Sequence, residues 1–238
     1  MIRTAILALY LFIVILLFGP LLILYGLCGG SMDTYYRVGV RWSLFMIRPL
    51  GVRTRVEGTE NIPPGACLFA ANHASNTDPP ILVGAIPRRI AILTKKSLFA
   101  IPIMGTAFRL AHFIPVDRAD RGGAMSSIQL AARYMKEESL SYLIYPEGTR
   151  SADGRLLPFK RAGFALAIEA KVPVVPVACI GAQHIMPKGS LRIRPGEVVV
   201  RFCPSIDGAA YTMERRGELA ESVHAAVAAA LPPEQRPR

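Results

Sequence analysis

The sequence has few charged side chains, few acidic ones in particular, and few cysteines. Charged residues make up 19% and hydrophobic residues 52% of the 238, which argues against a disordered chain and against a coiled coil. None of the four cysteines forms a C-x-x-C pair, so neither a disulfide framework nor a cysteine zinc cluster is expected, and a reducing compartment is favoured. What remains is a chain of single-domain length that is both apolar and basic, with a net charge of +11. Its expected partners are a membrane surface, an anionic substrate, or both.

Signatures of several other protein classes are also absent. The sequence contains no G-x-S-x-G, the turn that carries the nucleophile in many serine hydrolases, and Ser75 lacks that context. Aromatic side chains are not interleaved with the basic ones and no known nucleic-acid module occurs, so no nucleic-acid partner is expected. His73, Asp78 and His112 supply too few ligands for a metal-dependent phosphatase, so no metal site is predicted.

The one long apolar run lies at the N-terminus. From Thr4 to Cys28 no side chain is charged, and about 20 such residues can cross a bilayer as a helix. The run is too long for a secretory signal and no cleavage site follows it, so we predict a retained membrane-anchoring helix over residues 1–30. Only Arg3 precedes the run, whereas Arg37, Arg41, Arg48 and Arg53 follow it, which predicts a domain facing the cytoplasm at the inner membrane. The Gly-Pro pair at 19–20 also fits a segment that enters the membrane and returns.

Residues 31–55 are predicted to form an amphipathic helix and a linker. Apolar side chains recur at helical spacing over residues 35–48, with arginines elsewhere around the helix. This pattern fits a helix at the interface with anionic lipid. It fits equally well an ordinary amphipathic helix that packs on the domain.

Residues 56–231 are predicted to form an α/β domain. Short apolar runs predict buried strands at 66–71, 90–94, 142–145, 174–180 and 198–202, the last in a more exposed position because its pattern alternates. Helical patterns occur at 125–136, 162–170 and 219–231. This alternation predicts a mixed, largely parallel sheet flanked by helices, with the membrane-associated helical element N-terminal to it. The polar residues 232–238 are predicted to be a flexible tail.

A histidine and an aspartate follow the first predicted strand. In a straight helix, His73 and Asp78 would point about 140° apart, so they meet more easily across a turn. Asp78-Pro79 is a typical helix start, with Asp78 as the N-cap residue. An aspartate that accepts from one imidazole nitrogen leaves the other nitrogen as a base, although capping alone would also explain Asp78.

Charged residues also follow three further apolar segments. Lys95 directly follows the predicted strand at 90–94 and precedes an apolar, hairpin-like stretch that ends at Gly105. Asp117-Arg118 follows Phe113 to Val116, and Glu147-Gly148-Thr149-Arg150 follows a buried strand. Such lysines and arginines can converge on a phosphate, to which arginine makes bidentate contacts. Taken singly, each is more often a solvated surface charge.

Together these blocks resemble the glycerolipid acyltransferase family, over about residues 56–205. Four blocks occur in family order: Asn72-His73 to Asp78, Lys95-Lys96-Ser97-Leu98 to Asp117-Arg118, Tyr145-Pro146-Glu147-Gly148-Thr149-Arg150-Ser151, and Val172-Pro173-Val174-Val175-Pro176-Val177. The second block departs from the usual family pattern, because Pro115-Val116 replaces part of the apolar stretch that precedes its Asp-Arg pair. The short apolar N-terminal helix pair also resembles that of bacterial members.

The resemblance implies transfer of an acyl chain from acyl-CoA or acyl carrier protein to the sn-2 hydroxyl of lysophosphatidic acid. The product would be phosphatidic acid, in phospholipid biosynthesis at a membrane, and no cofactor or metal is implied. His73 would be the base and Asp78 its orienting partner. The residues implied in substrate binding are Lys95, Arg118, Glu147, Gly148, Thr149 and Arg150.

Two finer expectations concern the same loops. A carboxylate would repel a phosphate, so we expect Glu147 to position Arg150 or the glycerol. Backbone N–H groups near Gly148, or at the helix start at Pro79, are candidate donors to the oxyanion. The alternatives left open are an acyltransferase that uses another lysophospholipid or a lyso-ornithine lipid, and a thioesterase that hydrolyses the donor without any lipid acceptor.

Overall fold

The computed structural model describes residues 2–116, 121–190 and 192–238, without the side chains of residues 2–12, 14, 46 and 121–124. Its strands are β1 (Val52–Glu57), β2 (Leu68–Ala71), β3 (Ile90–Lys95), β4 (Ile114–Val116), β5 (Ser141–Ile144), β6 (Val174–Ile180) and β7 (Gly196–Phe202). Its helices are α1 (Ile2–Leu27), α2 (Met32–Ile47), α3 (Asp78–Ala85), α4 (Met104–Leu110), α5 (Arg121–Glu137), α6 (Ala165–Ala170), α7 (Ala182–Ile185) and α8 (Arg216–Ala230).

The described strands form one sheet in the order β1-β7-β6-β2-β5-β3-β4. Every neighbouring pair is parallel except β6 and β7. The predicted fold class, a mixed and largely parallel α/β sheet, is therefore confirmed. The strand β2 lies at the centre, and all four of its residues are fully buried. A strand that is covered on both faces has a continuous apolar sequence, which is why β2 could be predicted.

Helices cover both faces of the sheet. Alternate residues of β2 point to opposite sides, so Leu68 packs in a cluster with residues of α5, α6 and α8, whereas Phe69 packs with residues of α3 and α7. The helix α2 lies on the second face, where Leu44 contacts Gly84 of α3 and the Tyr35 hydroxyl donates to the Ala107 carbonyl of α4 at 3.2 Å. The side of α2 that faces the domain therefore packs on the helix that begins with Asp78.

The strand β1 begins inside the segment that we assigned to a linker. Only Val52 of this strand is buried, and Arg53 and Arg55 are exposed, because β1 is an edge strand paired with β7 alone. An edge strand with so little apolar surface gives no periodic signal. Its presence makes β7 an interior strand with Val198 to Val200 buried, so the predicted exposed position of β7 is wrong.

Two other segments differ from the predictions. The hairpin-like stretch after Lys95 is a 3₁₀ turn, Lys96–Ala100, followed by α4. The last residues are docked rather than loose: Gln235 is buried, its carbonyl accepts from the Leu156 N–H at 2.8 Å, and its side-chain oxygen accepts from the Gly181 N–H at 3.1 Å. Arg236 and Arg238 add further contacts, to Leu231, Arg155 and Asp153, and composition reveals none of these bonds.

The N-terminal segment forms α1, which continues through Pro20 without interruption. Large apolar side chains are exposed along its described part: Ile13, Ile15, Leu16, Leu17, Phe18, Leu21, Leu24, Tyr25 and Leu27. Within the described residues, no helix combines the length and apolarity needed to cross a membrane.

Candidate active site

Three parallel strands, β2, β5 and β3, bring most of the predicted site residues to one edge of the sheet. Residue His73 follows β2, Glu147 follows β5, and Lys95 ends β3, where it pairs with Val116 of β4. Neighbouring strands lie about 4.8 Å apart, so these residues border one crevice at the carboxyl ends of the strands, where open α/β sheets bind their ligands. Arg118 lies outside the described residues.

The structure brings His73 and Asp78 into direct contact across a turn. The His73 Nδ1 lies 2.7 Å from the Asp78 Oδ2, and that oxygen also accepts from the Ala74 and Ser75 N–H groups, each at 2.8 Å. Asp78 is the first residue of α3, and Thr77, not Asp78, occupies the N-cap position. The prediction that Asp78 caps α3 is therefore wrong, because its carboxylate closes the turn before the helix.

Both the backbone and the ring of His73 are held in place. The His73 backbone N–H donates to Glu147 Oε1 at 2.7 Å, and the His73 backbone carbonyl accepts from the Ser151 N–H at 2.8 Å. The Tyr145 ring stacks on the imidazole with centroids 4.1 Å apart and planes 25° from parallel. With Nδ1 engaged by Asp78, Nε2 has no hydrogen-bond partner among the described residues. The side chain is 18% exposed, so part of the imidazole is open to solvent.

The second oxygen of Asp78 is also fixed. The Cys179 thiol lies 3.6 Å from Asp78 Oδ1, and burial raises the pKa of Cys179, so the thiol keeps its proton and donates it. Two hydrogen bonds hold Cys179 itself: the Asn72 amide donates to its carbonyl at 2.9 Å and accepts from its N–H at 2.7 Å. Both carboxylate oxygens therefore have defined partners, which sets the orientation of the His73 ring.

Glu147 has a role other than the expected one. Its side chain is buried, with 3% of its surface exposed, and binds the His73 N–H rather than Arg150 or open space in the crevice. Burial raises the pKa of Glu147 from 4.5 to about 8, although the hydrogen bond from His73 acts in the opposite direction. The expectation that Glu147 positions Arg150 or the glycerol is wrong, because its carboxyl group is buried and binds the backbone of the turn that contains His73.

The raised pKa of Glu147 predicts a pH-dependent stability. The folded state holds this proton more tightly than the unfolded chain, so the free energy of unfolding should fall as pH rises from about 4.5 to about 8. Glu147→Gln substitutes a neutral amide that still accepts from the His73 backbone N–H. In denaturant titrations between pH 5 and 8, the part of the fall in the free energy of unfolding that is due to Glu147 should therefore disappear. Glu169→Gln, at an exposed position, is the matched control. An unchanged slope in Glu147→Gln would contradict a buried neutral acid.

The loop after Glu147 carries three further predicted residues. Gly148 has a φ of +72°, which favours glycine, and its N–H donates to the Tyr145 carbonyl at 3.0 Å. Thr149 is exposed and Arg150 is half-buried, and Arg150 forms no ion pair with any described residue. Lys95 is exposed and is likewise without an ion pair in the described part of the chain. These two cations are therefore available to an anionic ligand.

Two of the backbone N–H groups considered as donors to the oxyanion are already bonded. The Gly148 N–H is bonded to Tyr145, as described above. At the start of α3, two prolines follow Asp78 and have no N–H, and the Ile81 N–H donates to the Thr77 carbonyl at 3.2 Å. These two amides already close their own turns, whereas the N–H groups of Thr149 and Arg150, next to Gly148, have no hydrogen-bond partner among the described residues. A donor near Gly148 therefore stays a prediction.

Several residues at the site went unnoticed in the sequence. Tyr145 is the first residue of the third block, so its position was visible although its stacking on His73 was not. Cys179 lies in the apolar run of β6 and carries no signal that distinguishes it from a core residue. Ser75, whose hydroxyl donates to the Met186 carbonyl at 2.9 Å, and Lys188, which contacts the Arg150 carbonyl, act through chain segments far apart in sequence.

A histidine oriented by an aspartate, at the carboxyl edge of this sheet and on the same edge as cations without an ion pair among the described residues, is an arrangement that can support base-assisted transfer of a group to an anionic acceptor. The model of the acyltransferase family matches residues 53–180, and the chain belongs to that family.

Similar proteins agree with this assignment. The chain is 33% identical to a 1-acyl-sn-glycerol-3-phosphate acyltransferase from Limnanthes douglasii, over 79% of this chain and 66% of that protein. It is 32% identical to 1-acyl-sn-glycerol-3-phosphate acyltransferase alpha from Homo sapiens, over 73% and 62%. It therefore spans just under two thirds of the length of these relatives. The crystal structure of the 1-acyl-sn-glycerophosphate (LPA) acyltransferase PlsC from Thermotoga maritima matches with a TM-score of 0.77 and 27% identity, over 95% of this chain and 93% of that one.

Proposed function

We propose that this protein transfers an acyl chain from acyl-CoA or acyl carrier protein to the sn-2 hydroxyl of lysophosphatidic acid, giving phosphatidic acid. The observation that carries the proposal is the His73–Asp78 pair, whose geometry leaves Nε2 as the one open atom of the imidazole. The names of the similar proteins, which act on 1-acyl-sn-glycerol-3-phosphate, support this acceptor.

The proposed reaction proceeds without an acyl-enzyme, because the thioester of the donor is already activated. The Nε2 of His73 takes the proton of the acceptor hydroxyl as its oxygen attacks the thioester carbon. Asp78 stabilises the imidazolium that forms. When the tetrahedral intermediate collapses, the C–S bond breaks and the leaving thiolate receives the proton from His73. No metal or cofactor takes part in this scheme.

Attachment to the membrane would bring this site to its lipid substrate. The exposed apolar side chains of α1 and the packing of α2 on the helix that begins with Asp78 support this part of the proposal. Such an arrangement places apolar surface on the same body as the catalytic turn. We propose that the domain works at the cytoplasmic face of the inner membrane, with membrane lipids as its surroundings.

Arg150→Ala is expected to weaken use of lysophosphatidic acid more than it slows the chemical step. A hydrogen bond to a charged group contributes about 1.5–3 kcal/mol, so the KM for this acceptor should rise about tenfold or more while kcat changes less. Initial rates over a range of acceptor concentrations measure both. Arg133→Ala, on the exposed side of α5, is the control. An unchanged KM and rate would remove Arg150 from the phosphate site.

A panel of acceptors and donors tests the proposed substrate. Purified protein in detergent is given acyl-CoA or acylated carrier protein together with lysophosphatidic acid, another lysophospholipid or a lyso-ornithine lipid, and the products are identified by mass spectrometry. Phosphatidic acid as the main product supports the proposal. A preference for another acceptor would replace lysophosphatidic acid but keep the acyl transfer, and hydrolysis of the donor regardless of acceptor would indicate a thioesterase.

A further inference from the structure

Two lysines outside the four sequence blocks lie against the loop of residues 148–150. The Lys188 Nζ donates to the Arg150 carbonyl at 2.8 Å and lies 3.5 Å from the Thr149 hydroxyl. The Lys160 side chain covers Gly148, where a Cβ atom would lie only 3.1 Å from the Lys160 Nζ. Both lysines are exposed, and their ammonium groups lie against the loop that carries the Arg150 guanidinium.

Both lysines are fixed relative to the catalytic turn. The Lys160 N–H donates to the Pro146 carbonyl at 2.8 Å, next to Glu147. Two residues before Lys188, the Met186 carbonyl accepts from the Ser75 hydroxyl at 2.9 Å, within the turn between His73 and Asp78. The segment that carries Lys188 therefore contacts both the base-bearing turn and the Arg150 loop, and a ligand group held here keeps a defined distance from His73.

The positive charges of this loop are not compensated within the described part of the chain. Lys160, Lys188 and Arg150 form no ion pair there, and the oxygens that Lys188 contacts are uncharged. The carboxyl group that directly precedes this loop, that of Glu147, turns inward to the His73 backbone N–H. Like charges at close range repel each other, and a bound anion relieves that repulsion. The N–H groups of Thr149 and Arg150, without hydrogen-bond partners among the described residues, add two donors.

We propose that Lys160 and Lys188, together with Arg150, bind a phosphate monoester of a substrate. A phosphate monoester carries a charge of about −1.5 to −2 at pH 7 and three acceptor oxygens, which suits three cations around one loop. This inference rests on the proposed function, under which the phosphate is that of the lysolipid acceptor. The 3′-phosphate of CoA has the same chemistry, so the experiment separates the two sources.

Steady-state kinetics of Lys160→Gln, Lys188→Gln and the double variant test the inference, with Lys136→Gln on the exposed side of α5 as the control. Each single variant should raise the KM for lysophosphatidic acid about five- to tenfold, with little change in kcat, and should leave turnover of monoacylglycerol, which lacks the phosphate, unchanged. A KM that rises for acyl-CoA instead, but not for an acyl-pantetheine donor, assigns the bound phosphate to CoA. An equal loss of kcat with lysophosphatidic acid and with monoacylglycerol would mean that the lysines only stabilise the conformation of the loop, and would overturn the inference.

Chemical protection of the unmodified protein gives a readout that does not depend on turnover. Lysines are labelled by reductive methylation with and without lysophosphatidic acid, monoacylglycerol or CoA, and the modified positions are identified by mass spectrometry. A phosphate-bearing compound should protect Lys160 and Lys188 but not Lys136, and monoacylglycerol should protect none. Protection without turnover of lysophosphatidic acid would reject the proposed function and keep the inference. Turnover without protection and without a change in KM would keep the function and overturn the inference.

Discussion

Replacing His73 by alanine is expected to lower kcat at least about 10²-fold, the lower range for loss of a general base. The imidazole is the only described group that combines an open nitrogen with a carboxylate partner at this edge of the sheet. The KM values should change little, because His73 acts on the hydroxyl proton rather than on the phosphate. Initial rates with saturating acyl-CoA and lysophosphatidic acid measure the effect.

The control for this variant is His184→Ala, at an exposed position on α7. It should retain the wild-type rate. Alanine at position 73 keeps the backbone N–H that donates to Glu147 and the carbonyl that accepts from Ser151, so the fold should be preserved. Activity that survives in a folded His73→Ala variant would remove His73 as the base.

Asp78→Asn is expected to lower kcat by about 10²- to 10⁴-fold without unfolding the protein. The N–H groups of Ala74 and Ser75 both point at Oδ2, so the amide oxygen, not the amide nitrogen, should occupy that position. The imidazole then keeps its orientation but loses the negative charge that stabilises the imidazolium. The loss should therefore appear in kcat, while the melting temperature stays near that of the wild type.

Asp78→Ala provides the contrast. This change leaves two buried N–H groups without an acceptor, at about 1–3 kcal/mol each, so it should reduce both activity and the free energy of unfolding. Urea titrations of the two variants separate these effects. If Asp78→Asn retained full activity, the charge of Asp78 would have no part in the reaction, and the residue would serve only to close the turn.

The parts of the fold that the sequence revealed are those with a strong local signal. The strand β2 is fully buried and β6 is buried except at Ile180, and the motif residues after β2 and β5 follow directly from the ends of those strands. The edge strand β1 and the docking of Gln235 were missed because each depends on pairing with a distant segment. A short polar strand and a single glutamine have no pattern that distinguishes them from a linker or a tail.

The candidate site was predictable in its residues but not in its internal contacts. The His73–Asp78 pair was expected from spacing and turn chemistry, and the structure brings the two side chains together. The direction of the Glu147 side chain was not predictable, because sequence does not show whether a loop carboxyl points into a crevice or into the protein. Lys160 and Lys188 reach the third block through chain folding alone, so their contacts could not be inferred from the blocks.

The most direct test of the account is thiol release from acyl-CoA, measured with and without lysophosphatidic acid for the wild-type protein and His73→Ala. Direct transfer to an activated hydroxyl predicts thiol release that requires the acceptor, matches the phosphatidic acid formed and is lost in the variant. A burst of thiol without acceptor, accompanied by acylated protein, would contradict direct transfer. Continuous release without acceptor would show that water, not the lysolipid, receives the acyl chain.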